Sequence, residues 1–227
     1  MNNKKLFTII AVVLVLGAAG GALYYGLRGN TTDKSSNAHD MSNMNTSNSS
    51  GSDSLVDTNS DTYKQYAALT GEDYDRTFIA NMIAHHEGAV AMAQLALTNA
   101  EHQELKDMAN DIISAQNGEI SQMKSWQQSW GYPSSSSDSM MDHSAMGMMN
   151  EMAGMENDLK GKTGDDFDKA FIEQMIMHHQ GALDMAAPGE KNAKHQEVKD
   201  LTKAIVTAQT KEIKQMKQWQ KDWGYES

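Results

Sequence analysis

An internal duplication constrains this chain more than any other feature of its sequence. When the 227-residue sequence is shifted by 93 positions, residues 75–132 align with residues 168–225 without a gap, and 31 of the 58 aligned positions are identical. The aligned copies include FIANMIAHHEGAVAMA and FIEQMIMHHQGALDMA. Two copies are too few for a solenoid, which usually needs three or more repeats. The sequence therefore predicts two similar units that close on each other about a pseudo-two-fold axis.

Each copy has the pattern of two consecutive helices. The expected helices run from about Asp73 to Leu97 and onward to Trp130, and from Asp166 to Ala187 and onward to Trp223. Asn99 and Asn192 are predicted as N-caps of the second helix in each copy. Gly131 and Gly224 stand where a glycine that ends a helix is expected. Two such helical hairpins predict an all-α four-helix bundle over residues 61–227.

The N-terminal 60 residues are expected to lie outside this bundle. The 22 residues from 6 to 27 carry no charge, and as a helix they would span about 33 Å, enough to cross a bilayer. Lys4 and Lys5 precede the run, which predicts that the rest of the chain is outside the cytoplasm. We expect residues 1–28 to be a retained signal anchor, with a cleaved signal peptide as the alternative.

Two segments of biased composition divide the remainder. Residues 29–60 are rich in Ser, Asn, Thr and Asp, which predicts a disordered tether because such a segment buries little apolar surface. Within the bundle, the first hairpin is expected at 61–132 and the second at 153–227. A methionine-rich linker is expected between them at 133–152. The sixteen residues from 140 to 155 hold seven methionines and His143.

Composition excludes several classes of function. The chain has no cysteine, so it forms no disulfides and no thiolate metal sites. Its formal net charge is −11, which disfavours nucleic-acid binding and mildly attracts cations.

The paired histidines fall on the apolar side of the first helix in each copy. On a helical wheel, His85 and His86 lie on either side of Met82, and the face opposite them carries Arg76 and Glu87. The second helix carries an apolar seam at heptad-like spacing that Gln116 and Glu119 interrupt. A buried carboxylate is costly unless it is paired or bound to a metal. The same pattern in both copies therefore indicates a buried polar site.

Imidazole and thioether groups together favour copper, particularly Cu(I). Calcium and magnesium prefer oxygen ligands, and a di-iron bundle needs Glu-x-x-His motifs with further inward glutamates. The sequence His86-Glu87-Gly88-Ala89-Val90 lacks the second histidine of a zinc-protease motif. We therefore expect bound copper, as Cu(I) or alternatively Cu(II).

The candidate ligands fall into three groups. The principal candidates are Met82, His85, His86, Met123, Met175, His178, His179 and Met216. Further ligands, or groups that orient the ligands, are Met92, Met185, Gln116, Glu119, Gln209, Glu212, His102 and His195. Residues that could collect copper in the flexible segments are His39, Met41, Met44, Met140, Met141, His143, Met146, Met148 and Met149.

The motif M-I-x-H-H-x-x-A-x-x-M-A, followed by E-I-x-x-M-x-x-W, resembles the family known as domain of unknown function 305. In this chain the motif occupies residues 82–93 and 119–126, then 175–186 and 212–219. The resemblance covers roughly residues 60–227 and implies a ferritin-like four-helix bundle. Members of the family include exported copper-binding proteins linked to copper resistance, so the resemblance also implies copper binding by methionine and histidine.

Three functions agree with the sequence. The first is a copper-binding protein, periplasmic or at the cell surface, that sequesters copper or passes it to a transporter or chaperone. The second is a ferritin-like metal oxidase, which the shortage of inward carboxylates disfavours. The third is a surface bundle that binds another protein and whose histidines are ordinary core residues. We expect the first, with copper ions and the membrane as partners and with no enzymatic activity.

Overall fold

The computed structural model describes residues 55–132 and 142–225, with the backbone alone for residues 142–149. The predicted signal anchor, most of the predicted tether and the first part of the linker lie outside these residues. Within the described part of the chain, no helix is long and apolar enough to cross a membrane.

The described residues are helical, which confirms the all-α class. The helices are α1 (Asp61–Ala68), α2 (Glu72–Asn99), α3 (Gln103–Trp130), α4 (Asp142–Leu159), α5 (Gly164–Ala186), the single turn α6 (Gly189–Asn192) and α7 (Gln196–Asp222). Helices α2 and α3 form one hairpin, and α5 and α7 form the other. The two hairpins pack on each other through α2 and α5, the helices that carry the histidine pairs.

The apolar face that the helical wheel predicts on α2 is the buried face. Phe78, Ile79 and Met82 are inaccessible to solvent, and both histidines of the pair are buried. The equivalent residues of α5, among them Phe171, Ile172 and Met175, are buried in the same way. Because α2 and α5 bury matching faces against each other, the histidine pairs of the two copies lie in one core.

Gly131 and Gly224 have the left-handed backbone that their predicted role requires, with φ of 68° and 73°. The predicted N-caps are wrong. Asn99 is the last residue of α2, where its side chain donates to the carbonyl of Leu95 at 2.8 Å. Asn192 ends α6, and its side chain donates to the carbonyls of Ala67 and Leu69. The long helices α3 and α7 begin three residues later than these asparagines would place them.

A buried aspartate from the opposite hairpin takes over the role of the missing cap. Asp168 of α5 accepts hydrogen bonds from the backbone N–H groups of Glu101 and His102, at 3.0 and 2.9 Å, and from Nδ1 of His102 at 2.7 Å. It is fully buried. A carboxylate at the start of a helix satisfies unpaired N–H groups and interacts favourably with the helix dipole. The tertiary contact therefore fixes where α3 begins.

The second copy repeats this contact in the reverse direction. Asp75 of α2 accepts from the backbone N–H groups of Lys194 and His195, both at 3.0 Å, and from Nδ1 of His195 at 2.6 Å. Trp130 stacks on the ring of His195 with centroids 3.8 Å apart, and Trp223 stacks on His102 at the same distance. Two reciprocal aspartate–histidine clasps thus join the hairpins, one at each end of α2 and α5.

The segments that flank the first hairpin are more ordered than the sequence indicates. Residues 142–152 of the predicted linker belong to α4, whose buried Met155 and Leu159 pack against the core. The last residues of the predicted tether also lie on the bundle, where the N–H of Asp57 donates to Oδ1 of Asp184 at 3.0 Å. Asp184 lies beneath this segment and is only 4% exposed.

Replacing Asp168 by asparagine should lower the free energy of unfolding by about 2–3 kcal/mol, because hydrogen bonds to a charged acceptor weaken in a buried position. Asp166 is exposed on the first turn of the same helix, so Asp166→Asn should cost less than about 1 kcal/mol. Urea denaturation of both variants at pH 7 measures the difference. Equal stabilities would show that the clasp contributes little to joining the hairpins.

Candidate metal centre

The structure brings the four paired histidines together where α2 and α5 cross. The rings of His85 and His178, one from each copy, lie with centroids 3.7 Å apart. His86 and His179 flank them, each with its centroid 6.3 or 6.1 Å from that of its sequence neighbour. All four side chains are at least 98% buried. The predicted convergence of the two histidine pairs is therefore present in the structure.

The outer two imidazoles are each held by a glutamate of the second helix in the same hairpin. Nε2 of His86 lies 2.6 Å from Oε2 of Glu119, and Nε2 of His179 lies 2.6 Å from Oε2 of Glu212. An ionised carboxylate only accepts hydrogen bonds, so it pairs with a protonated Nε2. In a neutral imidazole held in this way, the lone pair resides on Nδ1. This arrangement fixes both the orientation of the ring and the nitrogen that can bind a metal.

The inner two imidazoles are kept neutral by burial. Nε2 of His178 donates to the backbone carbonyl of His85 at 3.0 Å, which again places the lone pair on Nδ1. Desolvation lowers the pKa of His85 and of His178 well below 6.5, and the neighbouring histidines lower it further. Only the neutral imidazole can donate its lone pair to a metal. These two side chains are therefore ready to act as ligands at neutral pH without first losing a proton.

Unpaired polar atoms mark the centre of the bundle. Nδ1 of each of the four histidines is buried and has no hydrogen-bond partner. Oε1 of Gln116 and Oε1 of Gln209 are buried and unpaired as well. A buried polar atom without a partner costs about 1–3 kcal/mol, and most folded proteins avoid it. Four imidazole nitrogens and two amide oxygens of this kind lie at equivalent positions of the two copies, and such unpaired atoms are candidates for binding a cation.

The four principal methionines are fully buried and divide into two groups. Met82 and Met123 belong to one apolar cluster, together with Met185 from the opposite hairpin. Met175 and Met216 belong to the other cluster, together with Met92 from the opposite hairpin. Thioethers from both hairpins therefore contribute to each half of the core. Met82, Met92, Met175 and Met185 lie on the helices of the paired imidazoles, whereas Met123 lies on α3 and Met216 on α7.

The remaining candidates occupy different places. Glu119 and Glu212 are about a quarter exposed, with side-chain exposures of 24% and 25%, so they are not core carboxylates. Their position suits them to orient the imidazoles. His102 and His195 belong to the aspartate clasps, where Nδ1 of each is already engaged. The proposed collecting residues, from His39 to Met149, lie outside the side chains that the structure describes.

Among the described residues, no group of three or more histidine, aspartate or glutamate side chains is arranged to hold a metal ion. This finding applies to the four paired histidines as well as to the carboxylates, so a metal site at this centre needs donors beyond these residue types. A di-iron bundle site requires several inward carboxylates.

The sequence analysis missed the two clasp aspartates, although the duplication signals them. Asp75 and Asp168 are the first identical pair in the aligned copies. An acidic residue in the first turn of a helix is ordinarily explained by the helix dipole, and this explanation hides a contact with the opposite hairpin. The signal for these contacts was the identical aspartate that precedes the apolar helical face in each copy.

The stability of the metal-free protein should fall in mild acid. The pKa of His85 and of His178 is depressed in the folded state, so below pH 6.5 the unfolded chain binds more protons than the folded one. The stabilising contribution is full above that pH and is lost as the pH falls. For these two histidines together, we expect the free energy of unfolding to fall by about 2–3 kcal/mol between pH 7.5 and 5.5. Urea denaturation across this range measures it, and His178→Asn should remove about half of the change. A profile unaltered by that variant would contradict the assignment.

Comparisons with known proteins match the chain to one family and to several solved structures. The family described as Domain of unknown function (DUF305) matches residues 25–126 and again residues 75–220. A solved structure of CopM in the Cu(I)-bound form is 38% identical, covers 66% of this chain and 96% of its own, and has a TM-score of 0.54. CopM in the Cu(II)-bound form is 37% identical, covers 68% and 99%, and has a TM-score of 0.56.

A Streptomyces coelicolor DUF305 protein, named as secreted, is 26% identical over 66% of this chain and 94% of its own, with a TM-score of 0.57. No curated protein matches the sequence. The two family matches overlap at residues 75–126 and together span residues 25–220, which is most of the chain. The chain therefore belongs to the DUF305 family.

Proposed function

We propose that this protein binds copper outside the cytoplasm through imidazole and thioether groups at the centre of a ferritin-like bundle, and that it sequesters the metal or passes it on. The observation that carries the proposal is the set of four buried Nδ1 atoms without hydrogen-bond partners. Carboxylate and carbonyl groups hold three of these rings from their Nε2 side. The proposed ligands are His85, His86, His178 and His179 with Met82, Met123, Met175 and Met216.

The chemistry of the site supports Cu(I) more than other metals. Neutral imidazole and thioether are soft or borderline donors, and no thiolate is available because the chain has no cysteine. Burial keeps the donor groups away from water, which favours a cation of low charge that sheds its hydration easily. The structural similarity to CopM, whose solved forms contain Cu(I), Cu(II) and Ag, supports the same class of cargo.

Each half of the centre combines groups in complementary roles. The imidazoles bind the ion, and Glu119 and Glu212 orient the outer rings through their Nε2–H groups. Partners that orient a histidine in this way typically affect metal affinity by about 10–100-fold. The buried thioethers supply further donors and exclude water from the site. No step of this function requires a chemical reaction, so a binding protein is favoured over the alternative of an oxidase.

A location outside the cytoplasm is supported by the sequence and by one relative. The uncharged run at residues 6–27 follows two lysines, and the Streptomyces coelicolor protein of the same family is named as secreted. Reduced thiols bind copper in the cytoplasm but are scarce outside it, so a site of thioether and imidazole groups suits the outer compartment. We propose a periplasmic or cell-surface protein that exchanges copper with a transporter or chaperone.

The double variant His85→Ala, His86→Ala should weaken Cu(I) affinity at least about 100-fold, since it removes two ligands and their oriented lone pairs. Competition with a chromophoric Cu(I) chelator under reducing conditions measures the affinity. Free Cu(I) at 100 times its dissociation constant should also raise the free energy of unfolding of the wild-type protein by about 2.7 kcal/mol. Unchanged affinity in the double variant would refute the assigned ligands, and the absence of any metal-induced stabilisation would favour a purely structural bundle.

Two methionines on α5 provide a matched test of the thioethers. Met175 is fully buried, whereas Met177, two residues away, is 50% exposed. Leucine preserves the volume of either side chain, with a cost usually below about 1.5 kcal/mol. Met175→Leu should weaken Cu(I) binding about tenfold, the effect of roughly 1.4 kcal/mol, and Met177→Leu should leave it unchanged. Equal affinities would exclude Met175 as a ligand.

A further inference from the structure

Two equivalent glycines face different groups in the two halves of the protein. Gly88 and Gly181 occupy the same position in the duplicated motif, three residues after the first histidine of each pair. A side-chain carbon added to Gly181 would lie 3.4 Å from Nε2 of His85. The same carbon on Gly88 would lie 3.1 Å from Sδ of Met152. The thioether of Met152 thus lies against α2 at Gly88, whereas the imidazole of His85 is the group nearest to Gly181 on α5.

Met152 connects the surface with the core. It belongs to α4, which packs on α2, and its side chain is partly buried. It also packs against the apolar cluster that contains the buried thioethers Met92, Met155, Met175 and Met216. One part of the Met152 side chain therefore remains open to solvent while its sulfur lies on the helix that carries His85 and His86.

The equivalent region of the second half is covered by groups of another kind. The N–H of Asp57 and the side-chain amide of Gln180 both donate to Oδ1 of Asp184, at 3.0 and 3.1 Å. Amide and carboxylate oxygens are hard donors with little preference for Cu(I). The duplication produced two similar halves, but different segments cover them. Met152 of α4 places a thioether over the first half, and the segment around Asp57 places amide and carboxylate groups over the second.

We propose that Met152 is a further copper-binding residue, and that it passes Cu(I) from solvent to the imidazoles of the first half. The inference rests on the proposed function. A methionine that only fills a gap is the ordinary explanation for a core thioether. Met152, however, is only partly buried, and its sulfur lies against Gly88 on the helix that carries the histidine pair. A thioether at this point allows Cu(I) to move from sulfur to imidazole while at least one soft donor remains bound.

The substitution Met152→Leu in the full chain tests the inference, because leucine preserves the packing volume and removes the sulfur. Stopped-flow mixing with Cu(I) released from a chromophoric chelator should show uptake slowed by about fivefold or more, the effect of about 1 kcal/mol on the barrier. Met155→Leu, one turn further along the same helix and 7% exposed, is the matched control and should load at the wild-type rate.

A second variant moves the sulfur without removing it. Gly88→Ala would place a carbon 3.1–3.2 Å from three atoms of Met152, so that side chain must shift away from α2. Gly118→Ala on α3 is the control, since a carbon added there meets nothing within 4 Å. Gly88→Ala should also slow uptake, and Gly118→Ala should not. In addition, substoichiometric Ag(I), which is redox-inert, should shift the Met152 methyl resonance in the wild-type protein.

The outcomes separate this inference from the proposed function. Slower uptake in Met152→Leu together with the Ag(I)-induced shift supports a copper-binding role for Met152, whether or not the final affinity falls. If the wild-type protein binds Cu(I) through its histidine pairs and Met152→Leu loads as fast as the wild type, this inference alone is overturned. If the wild-type protein binds no Cu(I), both proposals are overturned.

Discussion

The contact between the imidazoles of His85 and His178 is the constraint on which the rest of the structure depends. The two rings lie 3.7 Å apart between α2 and α5, and desolvation keeps both of them neutral. Two protonated imidazoles at this distance would repel each other in a low-dielectric core. Packing of the hairpins is therefore favoured while these rings are uncharged, and the neutral imidazole is also the form that can donate a lone pair to a metal.

A core that leaves several lone pairs unpaired must be stabilised elsewhere. The apolar faces of the long helices contribute most of this stabilisation, since fully burying a large aliphatic or aromatic side chain is worth about 1.5–3 kcal/mol. The clasps of Asp75 and Asp168 add charged hydrogen bonds at both ends of the crossing. Fixing the hairpins at their ends holds the centre in register without hydrogen bonds to Nδ1. The unpaired nitrogen atoms are thus tolerated by a rigid frame around them.

The sequence predicted the fold class and the buried face well because both follow from local periodicity and from the duplication. Met82, His85 and His86 were placed on the core side from a helical wheel, and the structure buries all three. The helix starts were predicted less well. The N-caps at Asn99 and Asn192 follow from local preference, whereas the true starts depend on aspartates about 70 to 120 residues away in the chain. No local rule contains that information.

The differences between the two copies show where sequence periodicity stops being informative about the site. Within the motif the halves are nearly identical, so symmetry predicts two equivalent environments. The residues that break the symmetry, Met152 and Asp57, lie in segments whose composition suggested a linker and a tether. These segments reach Gly88 and Asp184 on opposite helices. Because the two segments carry different side chains, the duplicated core has a thioether against α2 and an aspartate hydrogen-bonded to a backbone amide on α5, so the surroundings of the two histidine pairs are no longer equivalent.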